Sequence, residues 1–141
     1  MNNAVIKIKS TQGLEFAKSD EIEFITDGEY QHDESGTLIR YMESELTGLT
    51  GTETAVSIRG NEVIVRRRGT LNSRMEFREG EKSRFLYDTQ FGSATLSVDT
   101  KKIRTRSDPT GCDIQIDYIV DMDHAVVSRN SLNLNVKRVG N

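Results

Sequence analysis

Two short stretches hold the residues best suited to chemistry. Arg66, Arg67 and Arg68 are consecutive, and Tyr41, Glu43 and Glu45 alternate through Leu38-Ile39-Arg40-Tyr41-Met42-Glu43-Ser44-Glu45-Leu46. An arginine presents a planar fork of donors that suits a carboxylate or a phosphate. A carboxylate in an apolar setting needs such a partner, because a lone buried charge is costly. If Tyr41 and Glu43 point inward with an arginine, they make the polar floor of a ligand pocket. The same residues also fit a buried structural pair, or solvated arginines at a rim. An enzymatic use would make Glu43 a general base and an arginine an electrostatic stabiliser. No third orienting group accompanies them, so no catalytic residue is assigned and the enzyme reading ranks last.

The remaining candidates are weaker. The run Leu46-Thr47-Gly48-Leu49-Thr50-Gly51-Thr52-Glu53-Thr54 holds two glycines and four threonines in nine residues. It is either an anion nest built from backbone N–H groups or a bent hairpin. It is not a phosphate loop, because no Gly-Lys-Ser/Thr and no helix follow. His32 and His124 lie far apart in sequence, both near turns, and specify no metal site. No nucleophile elbow of the Gly-x-Ser-x-Gly type occurs. Cys112 alternates with Ile114 and Ile116, which reads as a small core residue. Its being alone excludes a disulfide framework. No cofactor is implied.

The elements that must position these residues are strands. Apolar and polar residues alternate in short runs, broken about every ten positions by Gly, Asp, Asn or Ser. Ten strands are expected, at 4–10, 21–30, 37–46, 52–58, 62–68, 71–77, 82–88, 94–104, 112–121 and 126–139. Gly28 is a candidate bulge, Gly60-Asn61 a two-residue hairpin turn, and Asp108-Pro109-Thr110-Gly111 the clearest turn. Residues 15–20 could hold one helical turn. The expected core faces are Ile6/Ile8, Ile22/Phe24, Met75/Phe77, Ile114/Ile116/Tyr118/Val120 and Leu132/Leu134/Val136. Strands joined in sequence with a single proline favour an all-β, closed, antiparallel up-and-down barrel, which hides its edges. Parity within 62–68 puts Val63 and Val65 on one face with Arg67, and Ile64 on the other with Arg66 and Arg68. At least one arginine therefore faces inward.

Composition bounds the partners. The 141 residues suit a single domain, 1–141, and the 35% apolar share fits strands with one solvated face. Residues 15–45 carry ten acids and two bases, whereas 59–84 carry eight bases and four acids. Such asymmetry either steers a charged ligand or partner, or reflects opposite charges paired between neighbouring strands. An acidic chain with no Trp offers no stacking platform for nucleic acid. No apolar run approaches the roughly 20 residues of a membrane span. No signal peptide is visible, so a cytoplasmic protein is expected.

Several motifs in order resemble the YwiB-like family. They are Tyr41-x-Glu43-Ser44-Glu45-Leu46-Thr47-Gly48-Leu49-x-Gly51-Thr52, Gly60-Asn61-x-Val63, Arg66-x-Arg68-Gly69, Met75-x-Phe77 and Tyr87-x-Thr89-x-x-Gly92. The resemblance spans nearly the whole chain. It implies a small bacterial protein of unknown function with a calycin-like, lipocalin-like barrel of about eight to ten strands, and no established activity. The positions that match the family pattern overlap the polar third and fifth strands. The expected ligand site is therefore Tyr41, Glu43, Thr47, Thr52, Arg66, Arg68 and Tyr87, suited to a small amphipathic or anionic ligand. The alternative is a protein–protein interaction or structural module, self-association included.

Overall fold

Period-two alternation commits each strand to a core face and a solvent face, and ten such strands can bury every edge only by closing on themselves. The computed structural model describes residues 1–14 and 20–140, so the helical turn anticipated within 15–20 falls outside it except for Asp20. The strands are β1 (Asn2–Leu14), β2 (Asp20–Asp33), β3 (Gly36–Met42), β4 (Glu53–Arg59), β5 (Glu62–Arg68), β6 (Leu71–Arg78), β7 (Lys82–Thr89), β8 (Gly92–Asp108), β9 (Gly111–Met122) and β10 (Ala125–Arg138). Each pairs antiparallel with its sequence neighbours, and β1 closes on β10 from Ala4↔Arg138 to Leu14↔Ser128. The result is a closed up-and-down barrel. No helix among the described residues is long and apolar enough to cross a membrane.

Two local readings are corrected. The third strand stops at Met42, and Glu45–Thr47 forms a 3-10 turn capped by the Ser44 side chain. Gly28 is paired in register on both sides and is not a bulge. A Cβ there would lie 2.3 Å from both the Arg40 carbonyl oxygen and Ile6 Cδ1, so close approach of the chains requires glycine. The register shifts fall instead between Thr100 and Lys102 in β8 and between Val126 and Ser128 in β10. The first of these switches which face points inward, from Val98 and Thr100 to Ile103.

The barrel has two unlike ends. The turns at 33–36, 59–62, 78–82 and 108–111 surround the packed end. Here Ile6, Tyr30, Ile39, Val63, Phe77, Ile116 and Val136 are fully buried and fill the interior. Each contributes on the order of 1.5–3 kcal/mol by burial. The Tyr30 hydroxyl donates to the Asp108 (2.7 Å) and Gly111 (2.9 Å) carbonyls, fastening β2 across the plug to the β8–β9 turn. Burial, with Cys112 close by, pushes that phenol up to about 12. All the expected core faces lie in this core or pack against it. The turns at 42–53, 68–71, 89–92 and 122–125 surround the other end, where the packing stops.

Candidate functional site

Inward parity runs Ile39, Tyr41 in β3; Val56, Thr54 in β4; Val65, Arg67 in β5; and Met75, Ser73 in β6. The registers Ile39↔Val56, Val56↔Val65 and Val65↔Met75 make one apolar belt. One pleat nearer the open end, Tyr41↔Thr54, Thr54↔Arg67 and Arg67↔Ser73 make a polar belt. The interior therefore changes from hydrocarbon to hydrogen-bonding groups within about 7 Å of strand.

Glu43 stands just past the end of β3, above this belt. Its backbone N–H donates to the Thr52 carbonyl at 2.9 Å, which fixes its direction. Its carboxylate accepts from Thr54 Oγ1 at Oε1 (2.6 Å), and Arg67 Nε lies 3.7 Å from the same oxygen. The Glu43 side chain is 3% exposed and that of Arg67 19%. Burial, reinforced by the Glu43 carboxylate, holds the Tyr41 phenol well above its ordinary range. Tyr118 is raised by burial too, with the Arg67 charge opposing. Arg67 Nε and Ser73 Oγ are buried with no hydrogen-bond partner among the described residues.

These groups border a cavity of about 470 Å3 that opens at the unpacked end. Its other walls are mixed: Ile22, Phe85, Leu96, Val120 and Leu132 supply apolar surface, and Ser10, Gln12, Ser128 and Asn130 add polar groups. A cavity of this size with few convergent polar groups is the usual form of a small-molecule site. Among the described residues, no group of three His, Cys, Asp or Glu side chains is placed to hold a metal ion.

Tyr41, Glu43, Thr47 and Tyr87 line this cavity. Thr52 does not; it is buried within the wall, where its Oγ1 accepts from Leu71 N at 3.4 Å. Arg66 and Arg68 lie on the outer face and are exposed, because Val63 and Val65 take the inward parity and carry Arg67 with them. The expectation that Arg66 and Arg68 line the pocket is thus corrected to Arg67. Thr54, Ser73 and Tyr118 were not anticipated; the first two follow from registers that a single sequence does not specify. In the glycine-rich run, Leu46 N bonds Ser44 Oγ, Thr47 N bonds the Ser44 carbonyl, and Gly48 N bonds the Glu45 carbonyl. These donors, with Thr52 N on the Leu49 carbonyl, are used within a bent connection.

Comparison with curated proteins returns no match. Among solved structures, the crystal structure of the ywiB protein from Bacillus subtilis aligns over 99% of this chain and 93% of that one. The TM-score is 0.86 at 22% identity, a likeness that establishes the fold alone. The family model described as a domain of unknown function (DUF1934) matches residues 6–134, a span that includes the whole polar belt, and the chain belongs to that family.

Proposed function

We propose that the barrel is a binding module that takes one small amphipathic ligand through its open end. The apolar part of the ligand lies against Ile22, Phe85, Leu96 and Leu132, and its head meets the Tyr41–Thr54–Arg67–Ser73 belt. The observation that carries this reading is the pair of buried donors, Arg67 Nε and Ser73 Oγ, left without acceptors among the described residues beside a cavity. A buried donor without an acceptor costs about 1–3 kcal/mol, so an acceptor supplied from outside is worth about that much at each. Native mass spectrometry of gently purified protein tests it. An added small-molecule mass, lost on denaturation and weakened in Arg67→Met, is expected. A bare protein whose NMR spectrum is also unmoved by short-chain amphiphiles would overturn the reading.

The outer surface favours a second reading, an interaction module. Registers place Arg40, Ala55, Arg66 and Arg74 side by side across β3–β6, with Arg66 directly opposite Arg74. Only Arg74 of the three forms an ion pair among the described residues, with Glu76. Such a row suits an acidic partner, including the acid-rich β2 of a second copy. Light scattering across a salt series is the check: self-association should weaken as salt rises, and a monomer at low salt and high concentration excludes it.

A further inference from the structure

The charges inside the cavity narrow the ligand further, if the binding reading above holds. Among the described residues, three charged ones line the cavity: Glu43 and Arg67 in its interior, and exposed Asp20 at the mouth. The interior pair sums to zero. Glu43 Oε1 accepts from Thr54, and its carboxylate also faces the Tyr41 hydroxyl, whereas Arg67 Nε and Ser73 Oγ have no hydrogen-bond partner among the described residues. The site thus presents free donors on Arg67 and Ser73 beside the remaining acceptor capacity of the Glu43 carboxylate, on a pair with no net charge.

We propose that Glu43 is the specificity-determining residue of the cavity. By neutralising Arg67 it sets the site for an uncharged head group that both donates and accepts a hydrogen bond, a primary amide being the simplest. A carbonyl oxygen would accept from Arg67 while the amide N–H donates to Glu43. A carboxylate would satisfy Arg67 but meet the Glu43 and Asp20 charges, and an ammonium would satisfy Glu43 but meet Arg67. Unlike head groups are excluded here by repulsion and unpaired charge as much as by lost contacts. The apolar walls supply affinity for the chain without distinguishing these heads.

The test uses octanamide, octanoate and octylammonium, which share one chain, in calorimetric titrations of the whole protein at neutral pH. The wild type should bind octanamide at least about tenfold tighter than either ion. In Glu43→Gln the uncompensated Arg67 should turn the preference to octanoate. In Arg67→Gln the uncompensated Glu43 should turn it to octylammonium, and this variant decides the matter if the first does not fold. Octanoate binding the wild type best, or a ranking unchanged in folded variants, overturns the role of Glu43 while leaving a binding barrel intact. No binding of any of the three to folded wild type counts against the binding reading itself.

Discussion

At the scale of single residues, the decisive one is Arg67. Its neighbours on either side are solvated, and it alone carries its charge into the barrel, because Val63 and Val65 fix the parity of β5. Removing only one member of a buried pair leaves the other charge without compensation. Arg67→Met should therefore destabilise by about 3 kcal/mol, whereas Glu43→Gln with Arg67→Met together should lose much less. Urea unfolding of the four proteins of this cycle checks it, and simple additivity would show that Glu43 and Arg67 do not interact. The arginine run and Glu43 were legible in the sequence as a pair in need of each other. Which arginine turned inward followed from parity once Val63 and Val65 were read as core, yet the family pattern pointed to Arg66 and Arg68. Thr54 and Ser73 were not legible, since a threonine or serine in a strand looks the same facing solvent or cavity until register is known. Cys112 was legible as core, and burial pushes its thiol up to about 12. Its modification by a disulfide reagent at neutral pH should follow global unfolding; prompt reaction of the folded protein would contradict that burial.

At the scale of elements, strand positions were readable because alternation is strong, and all ten appear. Bulges and close approaches were not, since they depend on how strands bend around a closed wall: Gly28 looked like the irregular position, and Lys101 and Val127 proved to be. The turns carry sharper consequences. Asp123 and His124 sit at φ 51° and 68° between the paired Met122 and Ala125, a two-residue turn that favours Gly or Asn. His124→Gly should raise stability by about 0.5–1 kcal/mol, measured as the unfolding midpoint. At the packed end, Asp33 accepts from the Ser35 hydroxyl and N–H, and Asp108 does the same with Thr110. The Ser35 hydroxyl, then its N–H, lowers the Asp33 carboxyl from 3.8 to about 2. Because the folded value is depressed, the stabilisation is fully present above pH 4 and is lost as pH falls towards 2. Urea midpoints of wild type and Asp33→Ala should differ near neutrality and converge as pH approaches 2. A constant gap across that window would remove the carboxylate from the account. On the outer wall, Arg66→Glu would place opposite charges across β5 and β6 and should stabilise by roughly a few tenths of a kcal/mol.

At the scale of the whole molecule, closure is uneven, and the weak place lies beside the cavity. Most neighbouring strands are registered along most of their shared length, but β6 and β7 are paired only at Leu71↔Thr89 and Asn72↔Asp88. Beyond those pairs the strands stay adjacent but no ladder is registered, and Ser83 Oγ donates to the Glu76 carbonyl at 3.0 Å. The turn between them docks on β8 instead, through Gly80 N to the Thr100 carbonyl and Thr100 N to the Glu81 carbonyl. In an antiparallel strand every second amide faces a given neighbour, so along 73–78 and 82–87 about half the amides face a ladder that is not formed. Local opening follows the stretches with the fewest paired backbone groups. Hydrogen exchange should therefore be fastest within the barrel wall at these amides and slowest in β1, where pairing is continuous on both sides. Ser73 and Met75 on one side of the seam and Phe85 and Tyr87 on the other all line the cavity. A ligand seated there would touch both edges and could stabilise the closed wall only by its own binding free energy. Octanamide at saturation should then slow exchange along the seam more than in β1. Slowing of equal size everywhere would mean that the seam opens only with the whole barrel, and uniform protection in the free protein would mean that it does not open separately at all.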